Sequence, residues 1–506
     1  MRLALIHPPE PMKSIASEVC QHPINLAQLA AYVRDRLAVE VEIWDYGVLP
    51  YSPEHLRENV TRFQPQIVGF SAMTPLVRTA AQLAAVVKEC DRNIVTIVGG
   101  PHVSALPERT LAEFESFDLG VIGEGELTLA ELCADVQRGR REWAGVAGTV
   151  YRDDGDIRVA PSRPLIANLD DLSYPARDLL DFSLYQGSSS PGLSSKIRNI
   201  TELFTSRGCP VRCFFCASHV THRGRVRFRS ARHVLGEVRE CVERFGIEHF
   251  TIDDDTFTFG RQRLLEIVRG LREMNVSWDC DSRVTNVDAA LLREMAASGC
   301  VKIAFGVESG SPRMLEAVRK KITLPQVEAA FDGAKRAGIL TAAFIMIGAH
   351  PSETAAEVEQ TFRLMLRIRP DFVMVYLAVP FPGTDLYEAM RREGMLLSED
   401  WDEFDIVRGE PVWRTEHFSP AQLIALQRSM YRRIYLRPGF VLRKLAMIKS
   451  GDDLRYFADA FVKFIKYIFG KRREVGVGGK GALDGAAAQP RLDAGDSRVA
   501  TQTKKA

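Results

Sequence analysis

No stretch of this chain approaches the roughly 20 consecutive apolar residues that a membrane-crossing helix needs. Its start, MRLALIHPPEP, lacks the apolar core and small-residue cleavage site of an export signal. Charge of one sign is not in excess either: 66 Lys and Arg stand against 65 Asp and Glu, a net charge of +1. That balance supplies no basic field for nucleic acid and no acidic solvating character. Cysteine is sparse, with nine in 506 residues, an odd number of which six are scattered. A disulfide framework is therefore not expected, and the chain reads as cytoplasmic. What is present, 46% apolar and 26% charged residues, is the balance of an ordinary globular protein. At roughly 150 residues per domain the length suggests about three domains.

Residues 1–140 alternate short apolar runs with helix-length segments. The runs are LALI (3–6), VEIW (41–44), IVGFS (67–71), IVTIV (94–98) and LGVI (119–122), and amphipathic stretches such as Leu26 to Leu37 and Val77 to Val87 separate them. Continuous apolar strands alternating with helices imply a doubly wound parallel sheet covered on both faces. Three strands end in turns rich in small residues: Ser71 to Pro75, Gly99-Gly100-Pro101-His102, and Gly123-Glu124-Gly125-Glu126. Ligands of open α/β sheets bind beyond the carboxyl ends of the strands, and glycine lets a large ligand approach the backbone. Residues 141–198 read as a hairpin, turning at Asp153-Asp154-Gly155-Asp156, followed by a Pro- and Ser-rich linker.

A second series occupies 199–385, with strands at 202–205, 249–253, 276–281, 301–307, 340–348 and 372–379. Six successive right-handed βα units curl towards a partial (β/α)6 barrel, the span being short for eight. Residues 386–473 are helical in pattern. Within them Arg437 to Arg473 carries ten Lys and Arg against three Asp, with Phe457, Phe461, Phe464, Ile465 and Ile468 on one helical face. Two readings stay open there: a peripheral contact with a membrane surface through 437–473, or a helix packed on the barrel with solvated lysines. Residues 474–506 have a disordered composition.

Three cysteines crowd into the segment Thr205 to Cys216, directly after the first strand of the second series. Cys209, Cys213 and Cys216 could wrap an iron–sulfur cube and leave one iron open. With His219 they could instead close a Cys3His zinc site, the mark of a scaffold or binding protein. Position at the carboxyl end of a barrel strand, and apolar neighbours Val211, Phe214 and Phe215, favour the cube. Cys90, Cys133, Cys241 and Cys300 read as small core residues, and Cys280 as a strand residue.

This Cys-x3-Cys-x2-Cys motif, with an aromatic before its last cysteine, resembles the radical S-adenosylmethionine (SAM) superfamily. The segments SAMTP, VGGPHVS and VIGEGE resemble the cobalamin-binding domain that precedes the barrel in one subgroup. That subgroup includes anaerobic magnesium-protoporphyrin ester cyclases, hopanoid-modifying enzymes and methylases of unactivated carbons. The resemblance runs from residue 1 to about 440, including Tyr435-Leu436-Arg437-Pro438. It implies that Cys209, Cys213 and Cys216 hold a 4Fe–4S cluster whose free iron takes SAM. One electron, from a reduced donor of ferredoxin or flavodoxin type, then cleaves SAM to methionine and a 5′-deoxyadenosyl radical. A small-molecule substrate, of lipid or tetrapyrrole type, would be methylated at carbon or rearranged by ring formation or oxidation.

By the same resemblance Phe215, Asp253, Asp255, Arg283, Glu308, Ser309 and Gly348 contact SAM, with Arg283 paired either to the cosubstrate carboxylate or to Glu308. Simpler roles compete: a helix cap for the Asp253 to Asp255 run, a helix-start acid at Glu308, a plain turn at Gly348. Ser71, Thr74, Gly99, Gly100, His102, Gly123, Glu124 and Gly125 would hold cobalamin, with His102 equally readable as a turn residue. The Asp-x-His-x-x-Gly motif, whose His binds cobalt from below in many such domains, is missing. His22 has neither the Asp nor the Gly, so its cobalt is expected to lack a His ligand from this motif. A domain that has lost cobalamin and only shapes the substrate pocket is the competing expectation.

Overall fold

The computed structural model describes residues 1–9, 21–185, 199–405 and 411–445, with scattered positions between 448 and 465. Its first sheet contains β1 (Arg2–His7), β2 (Glu40–Asp45), β3 (Ile67–Ser71), β4 (Val95–Gly99), β5 (Leu119–Val121), β6 (Thr149–Asp153) and β7 (Asp156–Val159). The order is β2-β1-β3-β4-β5-β6-β7. The first five strands are parallel; the β6–β7 hairpin joins the β5 edge antiparallel. Leu3 to Ile6 of β1 are all at most 1% exposed, as strands covered on both faces must be. The helix Val77–Cys90 supplies one cover by burying Val77, Ala80, Ala81, Ala84 and Val87, a 3.6-residue stripe.

The second sheet runs β15-β14-β13-β12-β11-β8, all parallel. Its strands are β8 (Ile200–Leu203), β11 (His249–Ile252), β12 (Ser277–Ser282), β13 (Cys300–Glu308), β14 (Leu340–Ile347) and β15 (Phe372–Leu377). A two-residue clip, β9 (Ser206–Arg207) with β10 (Arg227–Phe228), follows β8. β8 ends two residues earlier than expected because Thr205 and Ser206 turn aside to hydrogen-bond Asp254.

β8 and β15 do not pair, so this is an open, partial barrel. An exposed edge strand invites foreign pairing, and the helix Pro420–Tyr435 covers the one on β15. Tyr435 Oη accepts from Val373 N and donates to Val373 O, both at 2.9 Å. Tyr431 Oη accepts from Val375 N at 3.0 Å, and Gln427 Nε2 donates to Val375 O at 2.7 Å. Three side chains thus take the place of a seventh strand.

The described part of the linker is no loose tether. Arg177 is 2% exposed; it donates to Glu237 Oε1 at 2.6 Å and to the Glu202 carbonyl at 2.8 Å, strapping 161–185 onto the barrel. One continuous apolar core joins Phe70 and Phe117 of the first unit to Phe305 of the second and to Trp401 and Phe404 beyond it. Cys133, Cys241, Cys280 and Cys300 are buried as expected, but Cys90 is exposed, because it ends its helix on the outer side. Cys20 lies outside the described residues, as do 474–506 and, from the basic, aromatic stretch, Phe464 and Ile468. Among the described residues no helix is long and apolar enough to cross a membrane.

Candidate functional site

The loop after β8 is anchored at both ends before any of its cysteines comes into play. Gly208, at φ +90°, lies so close to Arg225 that a Cβ would sit 2.1 Å from its carbonyl oxygen, so only glycine fits. Phe214 N donates to Val318 O at 3.0 Å, and Phe214 O accepts from Leu386 N at 2.9 Å. Cys209, Cys213 and Cys216 are all free thiols; Cys213 is buried and the other two half-buried. Burial pushes the Cys213 thiol up, and Cys216 to about 11. Phe215 packs half-buried against the core.

His219 does not complete a zinc site. Its Nε2 faces the Gly383 carbonyl at 3.1 Å, and among the described residues no three His, Cys, Asp or Glu gather around one ion. An iron–sulfur cube needs no such convergence, because each thiolate takes a different iron. Three free, soft donors on a fixed loop fit that group.

The three aspartates after β11 have three different surroundings, and none caps the next helix, Arg261–Glu273, which starts at Gly260 without a side-chain cap. Asp254 is 2% exposed and accepts from Thr205 N (2.6 Å), Ser206 N (3.0 Å), Ser206 Oγ (2.7 Å) and Thr205 Oγ1 (2.5 Å). It holds the approach to the cysteine loop. Asp255 accepts from Ser218 Oγ, just past Cys216, at 2.7 Å. Asp253 accepts from Gln21 Nε2 at 3.3 Å and lines a cavity, and burial, with Glu202, Asp281 and Asp279 nearby, pushes it up to about 8.

Arg283 does not pair with Glu308. Its guanidinium is taken by the Lys320 carbonyl, while Lys320 Nζ donates to Glu308 Oε1 at 2.6 Å. The cause is local. The β13–β14 register shifts between Gly306 and Glu308, and Glu308 adopts φ +64°, which turns its carboxylate towards Lys320. A non-glycine residue held there is a strained position of the kind that clusters at functional sites. Glu308 Oε2 is buried and, among the described residues, has no partner. Ser309 instead bonds within the protein, to Thr361 Oγ1 at 3.2 Å and from Ser311 N at 3.2 Å. Gly348 has φ +77° and donates to Glu353 Oε2 at 2.6 Å. Glu353, 1% exposed, is pushed up to about 8 by burial.

A cavity of about 740 Å³ lies where the carboxyl ends of the first sheet face the mouth of the barrel. Ser71, Gly99, Gly100, Gly123, Glu124 and Gly125 line one wall; Phe204, Arg207, Gly208, His222, Asp253 and Asp255 line the other. Gly123, at φ +79°, has nothing within 4 Å of where a Cβ would stand. The volume is at the upper end for ligand sites, and the glycine-edged wall fits a bulky planar group. Thr74 and His102 are not brought to it. They bond each other (3.3 Å) behind the wall, and His102 packs edge-on to Trp401 at 4.9 Å, where burial lowers it to about 4. His22 is also committed elsewhere, with Nδ1 2.9 Å from Glu202 Oε2 and its ring stacked on Tyr185 at 4.1 Å.

Comparison with known proteins matches residues 15–133 to the B12 binding domain and 203–365 to the radical SAM superfamily. An uncharacterized methyltransferase of Pyrococcus horikoshii is 33% identical over 425 residues, covering 84% of this chain and 90% of that protein. The chain belongs to the cobalamin-binding branch of the radical SAM superfamily. The anaerobic magnesium-protoporphyrin IX monomethyl ester cyclase of Rubrivivax gelatinosus is 26% identical over 481 residues, covering 93% of this chain and 84% of its own. Among solved structures, the cobalamin-dependent SAM radical enzyme OxsB matches with a TM-score of 0.71 at 18% identity, over 92% of this chain and 71% of its own. The radical SAM methyltransferase TsrM of Kitasatospora setae matches at 0.65 and 19% identity, over 87% and 90%. At those identities the likeness is one of fold. This is a radical SAM enzyme of the methyltransferase and cyclase type, whose family works with a 4Fe–4S cluster, SAM and cobalamin. Radical SAM enzymes use small-molecule substrates and an electron donor.

In this radical SAM enzyme the two cofactor units are clamped by charge. Glu124, on the B12-type wall, accepts from Arg207 Nη1 (2.9 Å), Arg227 Nη1 (2.7 Å) and Ile166 N (2.9 Å). Arg207 also bonds Glu126. Despite burial these partners hold Glu124 down to about 2. The sequence alone singles out neither Arg207 nor Lys320. Lys320 sits in the run Arg319-Lys320-Lys321, where no sequence signal sets it apart; in the fold, Gly306 makes room for it, since a Cβ there would stand 2.6 Å from Nζ.

Proposed function

We propose that the protein is a cobalamin-dependent radical SAM enzyme that methylates an unactivated carbon of a small, lipid- or tetrapyrrole-class molecule. Cys209, Cys213 and Cys216 would hold the 4Fe–4S cluster. Phe215, Asp253, Asp255, Arg283, Glu308 and Gly348, with Lys320, would surround SAM, while Ser309 and Asp254 build the frame. Ser71, Gly99, Gly100, Gly123 and Gly125 would border the corrin, with Glu124 fixing their wall to the barrel. When bound, these groups supply a carbon-centred radical and a transferable methyl group. The chain's own part is to hold them in one chamber closed to water and to aim them at one carbon. Asp253, protonated near neutrality, would donate or take a hydrogen bond without adding charge.

The observation that supports this reading is the shared cavity, with B12-type turns on one wall and, on the other, Asp253, Asp255 and the Arg207-Gly208 step that leads into the cysteine loop. Relatives named as methylating bacteriochlorophyllide d and hopanoids support the substrate class. A reduced ferredoxin- or flavodoxin-type protein would deliver the electron. The test is the visible spectrum of protein purified without oxygen from a cobalamin-replete host. Iron–sulfur and corrinoid bands together, with SAM cleaved on adding reductant, are expected. Iron–sulfur absorbance without corrinoid would leave a radical SAM enzyme whose first domain only shapes the pocket.

A further inference from the structure

The helix Pro438–Leu445 packs with its chemistry reversed. Its inner face carries Phe440, 7% exposed and 4.6 Å from the Tyr435 ring, and Lys444, whose Nζ lies 3.6 Å over the Phe372 ring. Its outer face carries Val441, Leu442 and Leu445, exposed by 37%, 65% and 55%. At 3.6 residues per turn these three share an arc of about 100°. A helix that merely covers the barrel would turn its leucines in and its lysine out. Beside this ridge a cavity of about 250 Å³ has an apolar floor, including Met365, Ile434 and Phe440, and a rim formed by Arg369, Arg437 and Arg443. Among the described residues no carboxylate pairs with these three arginines.

We propose that this corner is a docking site for an anionic membrane surface. The leucine ridge enters the lipid interface and the arginine-rimmed cavity receives a lipid phosphate. Exposed apolar side chains flanked by unpaired cations are the two halves of interfacial binding. By composition, the sequence from Arg437 to Arg473 carries ten Lys and Arg against three Asp. A second copy of the chain is the poorer occupant, because it would bring an identical positive patch against this one. The inference goes beyond the catalytic reading and does not depend on it.

The test is flotation of the full-length protein with phosphatidylglycerol-containing vesicles and with phosphatidylcholine vesicles. The double variants Leu442→Glu/Leu445→Glu and Arg437→Glu/Arg443→Glu are run beside it. All four positions are exposed, so melting temperatures are expected to match the parent. The parent is expected to float with the anionic vesicles only and to be released by salt. Each variant is expected to bind at least about tenfold more weakly. Equal binding by parent and variants, or equal binding to neutral vesicles, overturns the proposal. So does a dimer in solution that the leucine variant dissociates, which would assign the ridge to a second copy.

Discussion

Arg207 Nη1 stands 2.9 Å from Glu124 Oε1, so the strand leading into the cysteine loop is ion-paired to the turn that borders the corrin-type wall. With Arg227 on Glu124 and Glu126 on Arg207, this contact ties the B12-type turn to the barrel. Glu124 is about 6% exposed at its side chain and its pKa falls from 4.5 to about 2. A carboxylate depressed in the folded state adds stability above its unfolded value and loses it as pH drops towards the folded one. Glu124→Gln is therefore expected to cost about 3 kcal/mol at neutral pH. The difference from the parent should shrink between pH 4.5 and 2. Denaturant titrations across that range check it, and a penalty that ignores pH would contradict it.

Glu353 predicts the opposite sign. Burial raises its carboxyl from 4.5 to about 8, so the folded state holds a proton that the unfolded chain releases. Stability should fall as pH rises across that window, by up to about 1.4 kcal/mol per unit. Glu353→Gln keeps an acceptor for Gly348 N–H and removes the titration. It is expected to melt higher than the parent at pH 8 and equally at pH 5, read by calorimetry. Equal melting at both would count against the buried neutral acid.

Tyr435→Phe should open the barrel edge. Its hydroxyl satisfies both backbone groups of Val373, and leaving them unpaired costs about 1–3 kcal/mol. Amide exchange at Val373 and Val375 is expected to accelerate while that at β13 stays slow. Unchanged protection of β15 would show that the helix does not cover the edge.

These particulars mark what could and could not be read from the chain. The strands of both sheets were legible because strands buried on both faces are continuous apolar runs, as in IVGFS and IVTIV. The cysteine spacing was legible because it is local. What stayed hidden depends on partners far away in sequence. Arg177, 60 residues from Glu237, falls in a stretch that reads as linker; Arg207, 83 from Glu124, carries no local mark of its partner. The Asp253-Asp254-Asp255 run could be placed but not apportioned, because three identical side chains differ only in which way the backbone aims them. Thr74 and His102 followed a strand end as expected, yet the packing of Trp401 drew them behind the wall.

His219→Ala separates the cube from the zinc alternative. Because Nε2 faces a carbonyl rather than the cysteines, the variant is expected to keep the parent's iron and sulfide content. Loss of metal from it would return His219 to the ligand set.

The most direct measurement compares reconstituted parent protein with a variant carrying Cys209→Ala, Cys213→Ala and Cys216→Ala. Both are prepared without oxygen and assayed for iron, labile sulfide and 5′-deoxyadenosine formed from SAM after reduction. The parent should carry about four irons per chain and form 5′-deoxyadenosine, and the variant should do neither. A variant that retains the iron and still cleaves SAM would contradict the assignment of those three thiols to the cluster.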